Sequence, residues 1–565
     1  MEPVWLKYYP AGVPAEIDVF RFASLTDMAE HSCRQYAQRP AFTNMGVALT
    51  YGELDRLARN FGAYLQQVLG LRRGDRVAIM LPNLLQYPVA LFGALRAGLV
   101  VVNVNPLYTA RELQHQLADS GAVAIVVLEN FAHTLQEVVA TTSVRHIVST
   151  QVGDLFPPLR RWLVNFAIKR VKRMVPRWRL PGAIDLNTAL QRGAGQRPTD
   201  VALAQEDIAF LQYTGGTTGV AKGAILTHGN MVANVEQTAA WIGGTLKEGA
   251  EVVVTPLPLY HIFSLTANLL TFVRLGANNV LITNPRDIPA FVHELRKTRF
   301  TAITGVNTLY NLLLNTPRFA RVKQANGGAL KLAVAGGMAL QRTVAERWQA
   351  MMGVPLIEGY GLTEASPIVC ANRFDITEFS GNIGLPLPST QVAILDDTGH
   401  ELPLGETGEI VAQGPQVMPG YWNKPEETAH AFTADGWLRT GDMGVMGEDG
   451  TVRFIDRRKD VIVVSGFKVY PTEVEEVVML HPGVREVGAV GVADEKSGEV
   501  VKLYVERKDP ALTTEDLLAH CRANLTAYKV PKHVEFRDHL PKSPIGKILR
   551  RALKEEASST AGITS

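Results

Sequence analysis

Short runs of branched apolar residues alternate with amphipathic stretches along most of the chain. The predicted strands lie at 76–80, 99–104, 122–128, 251–255, 279–282, 301–306 and 332–335. The predicted helices include 87–96, 110–120, 288–297 and 342–352. Continuous apolar strands linked by helices are typical of parallel sheets covered on both faces. Two such α/β layers leave a cleft between them, and ligands bind at the loops that follow the carboxyl ends of the strands.

The pattern changes after about residue 452. Short predicted strands and two amphipathic helices, at 473–480 and 514–523, follow. The C-terminal end of the chain is basic. We therefore predict an α/β fold class with a large N-terminal domain (1–455) of layered, mostly parallel sheets and flanking helices. A small α+β C-terminal domain (461–557) is predicted after it. The small polar residues 558–565 are predicted to form a disordered tail.

Composition narrows the class of protein. The 565 residues are 46% hydrophobic and 20% charged, which is typical of a globular protein with more than one domain. A net charge of +2 gives no indication of nucleic-acid binding. Cys33, Cys370 and Cys521 form no CxxC pair, so we predict buried thiols and neither disulfides nor a zinc site.

The N-terminal residues lack the apolar region and the cleavage site of a signal peptide. The longest apolar stretch, 85–104, is interrupted by Arg96 and by two glycines. We therefore predict no membrane-spanning helix and a cytoplasmic location.

A run rich in glycine and hydroxyl residues, Tyr213 to Ala224 (YTGGTTGVAKGA), follows the apolar segment 208–211. Glycines allow backbone N–H groups to surround phosphate oxygens, and the hydroxyls and Lys222 add donors and charge. The run is not a GxxxxGK[ST] P-loop, because Lys222 lies three residues after Gly219. It predicts a phosphate-binding loop, although a flexible surface loop would have a similar composition.

Three further motifs are ambiguous when each is taken alone. Glu358 to Glu364 (EGYGLTE) offers an aromatic ring for a base and a carboxylate for Mg²⁺, but a tight turn with a surface glutamate explains it as well. Asp442, in Thr-Gly-Asp, suits the hydroxyls of a ribose or a solvated turn. Lys547, at the end of PKSPIGK, suits a cation that reaches a neighbouring domain or an ordinary exposed lysine.

Taken in order, the four motifs resemble the adenylate-forming superfamily, which includes acyl-CoA synthetases, luciferases and the adenylation domains of peptide synthetases. The resemblance covers essentially the whole chain and is strongest to bacterial long-chain fatty-acid–CoA ligases. Residues 435–443 (DGWLRTGDM) and 456–471 (DRRKDVIVVSGFKVYP) resemble the fatty acyl-CoA synthetase signature. The opening VWLKYYPAGVPAEI and the stretch NLLQYPVALFGALRAG also resemble that group.

The resemblance implies a role for each matching residue. It implies phosphate binding, with catalytic roles for Thr214 and Lys222, by Tyr213, Thr214, Gly215, Gly216, Thr217, Thr218, Gly219 and Lys222. It implies adenine and ribose contacts by Gly336, Gly337, Glu358, Gly359, Tyr360, Asp442 and Arg457, with Thr363 beside the α-phosphate. It implies a Mg²⁺ ligand at Glu364, a histidine near the acyl site at His261 and an adenylation lysine at Lys547. It also implies that the C-terminal domain is mobile about a hinge at 456–460, centred on Lys459, and carries a thioester-forming loop of Ser465, Gly466, Phe467 and Lys468.

The implied reaction joins a long-chain fatty acid to coenzyme A. ATP and the acid form an acyl-adenylate and diphosphate, and the thiol then displaces AMP. Mg²⁺ is the expected cofactor, fatty-acid degradation by β-oxidation is the expected setting, and many relatives are homodimers. Two alternatives stay open: a ligase for another acid or for a carrier protein, and a non-catalytic lipid-binding protein, although Lys222, Glu364 and Lys547 are all present.

Residues 160–179 (RRWLVNFAIKRVKRMVPRWR) contain eight basic residues and no acidic one. On a helical wheel, an apolar face of Val164, Ile168, Val171, Val175 and Trp178 opposes a basic face of Lys169, Arg170, Arg173 and Arg177, and Pro176 would end or kink the helix. Such a stretch suits an anionic membrane surface, so we predict peripheral attachment to the cytoplasmic face of the inner membrane. An ordinary surface helix with a solvated basic face is the alternative.

Overall fold

The computed structural model describes residues 3–214, 221–494, 496–543 and 546–561. In chain order its strands are β1 (Pro40–Asn44), β2 (Val47–Thr50), β3 (Arg76–Met80), β4 (Val100–Asn103), β5 (Ala124–Leu128), β6 (His146–Thr150), β7 (Ile184–Asp185), β8 (Ile208–Thr214), β9 (Lys222–Thr227), β10 (Val252–Thr255), β11 (Asn278–Leu281), β12 (Ala302–Gly305), β13 (Leu332–Gly336), β14 (Leu356–Gly361), β15 (Ile368–Ala371), β16 (Leu385–Pro386), β17 (Gln391–Leu395), β18 (Thr407–Gln413), β19 (Leu438–Met446), β20 (Val452–Arg457), β21 (Ile462–Val464), β22 (Phe467–Val469), β23 (Val484–Asp494), β24 (Gly498–Arg507) and β25 (His533–Arg537). Its α-helices are α1 (Leu25–Gln35), α2 (Tyr51–Ala63), α3 (Gln86–Arg96), α4 (Ala110–Ser120), α5 (Ala132–Val138), α6 (Pro158–Phe166), α7 (Leu186–Ala194), α8 (His228–Ile242), α9 (Thr271–Arg274), α10 (Ile288–Lys297), α11 (Asn307–Leu314), α12 (Val322–Asn326), α13 (Arg342–Met352), α14 (Pro425–Ala431), α15 (Pro471–Met479), α16 (Thr514–Asn524) and α17 (Arg550–Ala561).

Two large sheets form the body of the N-terminal domain. One has nine strands in the order β16-β15-β14-β13-β12-β10-β11-β1-β2, and the other has seven in the order β7-β6-β5-β3-β4-β8-β9. Their central strands are parallel, and antiparallel pairs such as β1–β2 and β8–β9 lie at the edges. The central strands are buried because helices cover both faces of each sheet. The predicted fold class is confirmed, and α4, α10 and α13 have the predicted bounds.

The large domain also contains a third sheet that the hydrophobic pattern of the sequence did not predict. It has four antiparallel strands in the order β17-β18-β19-β20. Turn-forming residues, such as Asp396 to Gly399 (DDTG), divide the region into short runs and obscure its alternation. The register of this sheet pairs Asp442 on β19 with Arg457 on β20, so two residues expected at the ribose are neighbours.

The C-terminal domain has its own five-stranded sheet and its own core. The strand order is β22-β21-β24-β23, with β25 beside β24. Helices α15 and α16 cover one face through the fully buried Val474 and Leu517. On the other face, Leu553 of α17 packs against Tyr504.

Helix α17 continues to Ala561, so the predicted disordered tail begins too early. Its residues 552–557 (ALKEEA) are mostly strong helix formers, which favour continuation of the helix beyond residue 557. Residues 562–565 lie outside the described part of the chain.

The basic segment is not one continuous helix, and its predicted apolar face is wrong. Helix α6 ends at Phe166, a π-helical turn spans Ala167–Val171, and Arg173 has a φ of 51°. Val164, Ile168 and Trp178 pack against the protein. Val171 of the predicted face is exposed, but the other strongly exposed apolar side chains of the segment are Leu159, Trp162, Leu163 and Phe166 on α6 and Met174 after it.

Within the described ranges, no helix is both long enough and apolar enough to cross a membrane. All three cysteines are buried with unpaired thiols, as predicted.

Candidate active site

A cavity of about 2020 Å³ lies where the three sheets of the large domain meet the C-terminal domain. The residues expected at the site that line it are Tyr213, Thr214, Lys222, His261, Gly336, Gly337, Glu358, Gly359, Tyr360, Thr363, Glu364, Asp442, Arg457, Lys459 and Lys547. The expected residues Gly215, Gly216, Thr217, Thr218 and Gly219 lie outside the described part of the chain. Side chains that are more than 300 residues apart in sequence therefore share one cavity.

A β-hairpin holds both ends of the glycine-rich run. Thr214, the last residue of β8, pairs with Lys222, the first residue of β9. The Lys222 ammonium forms an ion pair with Glu427 and lies 5.5 Å from the centre of the Tyr421 ring. Tyr213 lines the cavity too, but its hydroxyl donates to Asp119 at 2.6 Å and is therefore engaged within the large domain.

Glu364 lies on a short 3-10 turn, Thr363–Ala365, directly after β14. One of its carboxylate oxygens accepts the hydroxyl of Tyr421 at 2.7 Å, which fixes the orientation of the carboxylate. A single oriented carboxylate suits Mg²⁺ that is held mainly by phosphates and water. Over the described residues, no group of three or more His, Cys, Asp or Glu side chains could hold a metal ion by itself.

The residues expected to contact adenine lie on or beside two adjacent parallel strands, β13 and β14. Gly336 pairs with Gly359, and a Cβ at Gly336 would lie 3.0 Å from the carbonyl oxygen of Gly359, which is too close for easy accommodation. The side chain of Glu358 accepts the Leu340 N–H at 3.0 Å, and burial raises the pKa of this carboxyl to about 8. A neutral carboxyl both donates and accepts, which suits the polar edge of a base.

Asp442 and Arg457 lie side by side on β19 and β20. The Tyr360 hydroxyl donates to Asp442 Oδ2 at 2.7 Å, and Arg457 Nε lies 3.7 Å from Oδ1. Burial raises the pKa of Asp442, and the charge of Arg457 opposes that shift. A carboxyl group held from two sides presents fixed oxygens to a pair of ribose hydroxyls.

Lys547 reaches the cavity from the C-terminal domain. The carbonyl of the preceding Gly546 accepts the hydroxyl of Thr308 on α11 at 3.1 Å, which docks the lysine loop on the large domain. Burial, and then the charge of Arg457, lower the pKa of Lys547 to about 8. Burial, and then the charge of Lys547, lower the pKa of His261 to about 4, so this histidine is neutral beside the lysine at neutral pH.

The loop expected to form the thioester lies elsewhere on the C-terminal domain. Ser465 and Gly466, with φ values of 49° and 85°, form the turn between β21 and β22. Phe467 stacks on Tyr528 at 4.8 Å, and Lys468 is exposed. These four residues are absent from the lining of the cavity as far as the chain is described, so the structure brings Lys547 to the site but not this loop.

An apolar branch of the cavity extends along the face of the nine-stranded sheet. Residues 332, 334 and 336 of β13 line it, and so do Ala302 and Thr304 of β12. Alternate residues of a strand point to one face, so the branch follows β13 from residue 332 to residue 336, a rise of about 13 Å. The buried side chains of Trp241 and Ile242 of α8 and of Phe272 of α9 cover it.

Sequence reasoning missed the apolar branch and the residues that orient the polar site. The branch draws its lining from two helices and two strands, so no single motif marks it. Tyr421 and Glu427 contact Glu364 and Lys222 from a segment with no recognised motif. The aromatic pair in MPGYW at 418–422, placed directly after a Pro-Gly turn, was the available signal.

Comparison with known families matches both domains. The sequence profile described as AMP-binding enzyme matches residues 29–422, and the profile described as AMP-binding enzyme C-terminal domain matches residues 473–547. A long-chain-fatty-acid–CoA ligase of Salmonella typhimurium is 57% identical over 557 residues, covering 99% of both chains. Proteins of the same name are 58% identical in Escherichia coli O157:H7, over 99% of both chains, and 39% identical in Bacillus subtilis, over 98% of both.

Solved structures share the fold along nearly the whole chain. ATP-bound MatB from Rhodopseudomonas palustris superimposes with a TM-score of 0.80 at 27% identity, covering 94% of this chain and 98% of that one. The anthranilate CoA ligase AuaEII, in complex with anthranoyl-AMP, gives a TM-score of 0.84 over 97% of this chain and 100% of that one, although at 24% identity it supports the fold alone. With both family domains present in order and relatives that match from end to end, the chain belongs to the AMP-binding enzymes of the adenylate-forming superfamily.

Proposed function

We propose that the protein activates a long-chain fatty acid with ATP and transfers the acyl group to coenzyme A. The buried apolar branch is the observation that supports a long-chain acid as the substrate, because acetate would leave most of the branch's length of about 13 Å empty. Each methylene that moves from water into such a branch contributes about 0.8 kcal/mol, so a long chain gains far more than a short acid. The names of the relatives support the same reaction.

The first step joins the carboxylate oxygen to the α-phosphorus of ATP and releases diphosphate. Its main barrier is repulsion between two anions, which fixed cations and hydrogen-bond donors lower. Lys547 and Lys222 supply cations, and Lys222 exchanges Glu427 for phosphate when ATP binds. Asp442 and Arg457 hold the ribose, and Glu364 would hold Mg²⁺, which neutralises phosphate charge when bound.

The second step joins the coenzyme A sulfur to the acyl carbon and releases AMP. In the structure Lys547 occupies the cavity, whereas Ser465–Lys468 lie outside it. We therefore assign this arrangement to the first step, and we propose that the C-terminal domain rotates about Lys459, within 456–460, before the second.

A contact with the membrane that supplies the acid belongs to the same proposal. Leu159, Trp162, Leu163 and Phe166 recur at i, i+3, i+4 and i+7 on α6 and are 47–73% exposed. Exposed basic residues, including Arg160 and Arg170, flank this apolar stripe. An apolar stripe with basic flanks fits the surface of an anionic bilayer, which supports the proposal that the protein attaches to the cytoplasmic face of the inner membrane.

The test of the proposed function follows acyl-CoA by mass spectrometry with ATP, coenzyme A and one acid at a time. We expect palmitate or octanoate to exceed acetate and benzoate in kcat/KM by about tenfold or more. A reaction confined to acetate or benzoate would overturn the substrate class. An acyl-adenylate that coenzyme A does not consume would instead favour a carrier-protein acceptor, and absence of AMP with every acid would overturn the enzymatic assignment.

A further inference from the structure

A buried ion-pair cluster crosses the boundary between the two domains. Arg550, the first residue of α17, donates to Asp456 Oδ1 at 2.7 Å and to both oxygens of Glu475 at 2.9 and 2.6 Å. The backbone N–H of Thr472 donates to the other oxygen of Asp456 at 2.6 Å. Asp456 is fully buried near the end of β20, in the sheet of the large domain and at the first position of the predicted hinge segment 456–460, whereas its partners Arg550 and Thr472 belong to the C-terminal domain.

The cluster lies on both sides of the proposed hinge. Asp456 precedes Lys459 in the chain, whereas Thr472, Glu475 and Arg550 follow it. A rotation of the C-terminal domain about Lys459 would therefore pull Arg550 and Thr472 away from Asp456, while the contact between Arg550 and Glu475 would move with the domain. The bond between Arg550 and Asp456 exists only in an orientation close to the one described.

The cluster also adjoins the adenylation lysine. Arg550 lies three residues after Lys547, where the lysine loop becomes α17. Burial disfavours the charged guanidinium, but Glu475, Asp456 and Asp460 outweigh it and raise the pKa of Arg550 above its ordinary value. The charge is therefore permanent, and removing Asp456 would leave it with one buried partner fewer.

We propose that Arg550 is a positioning residue, whose bond to Asp456 holds the C-terminal domain in the orientation that presents Lys547 to the cavity. This inference rests on the proposed function, because it concerns the first of its two steps. Asp456 and Arg550 stabilise the arrangement for adenylation, and their separation accompanies the change to thioester formation.

The test measures the two steps separately in Arg550→Gln and Asp456→Asn. Adenylation is followed by palmitate-dependent exchange of diphosphate into ATP, and thioester formation is followed from synthetic palmitoyl-adenylate and coenzyme A. We expect both variants to lose adenylation by about tenfold or more while thioester formation stays within about threefold of the unmodified protein. Arg550→Lys, which keeps the charge but not the fork of donors, should recover part of the loss.

Arg537→Gln is the matched control, because the partners Glu535 and Glu556 of this arginine both lie in the C-terminal domain. It should leave both steps near the rate of the unmodified protein. Equal losses in both steps, or unchanged adenylation, would overturn the inference. Should Arg550→Gln melt at a much lower temperature, Asp456→Asn decides alone, because it leaves the C-terminal domain unaltered. Absence of exchange in the unmodified protein with every acid would overturn the proposed function itself.

Discussion

In the proposed mechanism Lys547 acts through its positive charge, yet it lies where burial disfavours that charge. Its pKa of about 8 follows from burial and from the nearby Arg457. The ammonium must be charged to attract the phosphates, so kcat/KM for ATP in the adenylation step should fall as the pH rises through about 8. The pH dependence of kcat/KM reports the ionisation of the enzyme before ATP binds. The phosphates of bound ATP raise the pKa of Lys547, so kcat should stay constant to a higher pH than kcat/KM does.

Two variants separate the groups that titrate near this pH. Lys547→Arg stays charged throughout and should remove the contribution of the lysine. Glu358 also has a pKa of about 8 and gains a negative charge as the pH rises, so Glu358→Gln isolates its share. A kcat/KM profile of the unmodified protein that stays flat from about pH 7 to 9.5 would show that neither group has the shifted pKa.

Substitution of Ala302 tests whether the acyl chain lies in the apolar branch. Ala302 lies at the amino end of β12, deep in the apolar branch, so a phenylalanine there should occupy the space of the last methylenes. In Ala302→Phe, we expect kcat/KM for palmitate to fall by about tenfold or more relative to that for octanoate. Overpacking costs about 1–3 kcal/mol, so thermal melting should accompany the kinetics. An unchanged ratio in a folded variant would place the acyl chain elsewhere.

At the scale of elements, the exposed apolar stripe of helix α6 predicts binding to anionic vesicles. Replacing its exposed Leu159, Trp162 and Phe166 with serine should reduce sedimentation with vesicles that contain phosphatidylglycerol, because the apolar stripe would be lost. Activity on octanoate in the absence of vesicles should stay unchanged, since the stripe lies outside the cavity.

The matched control for α6 replaces two other exposed apolar residues, Leu312 and Val68, with serine. These changes should leave vesicle binding intact. Equal binding by all three proteins, at low as well as at moderate salt, would show that α6 does not contact the membrane.

Periodicity predicts an element well when both of its ends carry local signals. Helix α4 (Ala110–Ser120) follows a capping box of Thr109 and Glu112 and is capped at its carboxyl end by Gly121, and its predicted bounds are confirmed. The predicted apolar face of 160–179 is wrong because the helical wheel continued one helix across residues 164–178, whereas a π-helical turn and the positive φ of Arg173 redirect the chain before Pro176. The helical wheel placed Val164 and Ile168 on the apolar face assigned to the membrane, although both are partly buried against the core.

At the scale of the whole molecule, the site follows from contacts that no local pattern contains. The resemblance implies residues from 213 to 547, but their convergence depends on bonds such as Tyr360 to Asp442 and Thr308 to Gly546. The partners of Lys222 and Glu364 escaped prediction for the same reason, because Glu427 and Tyr421 come from distant parts of the chain. The fold class was predictable because parallel strands and their covering helices repeat the same pattern many times.

The central claim is that one cavity adenylates a long-chain acid before any thiol takes part. Rapid quenching tests it most directly: the protein is mixed with ATP, Mg²⁺ and palmitate without coenzyme A, and the products are identified by mass spectrometry. The account predicts palmitoyl-adenylate in an amount that matches the active sites, which then disappears as palmitoyl-CoA and AMP form upon addition of coenzyme A. Formation of ADP or of an acyl phosphate, or acyl-CoA without a preceding adenylate, would contradict it.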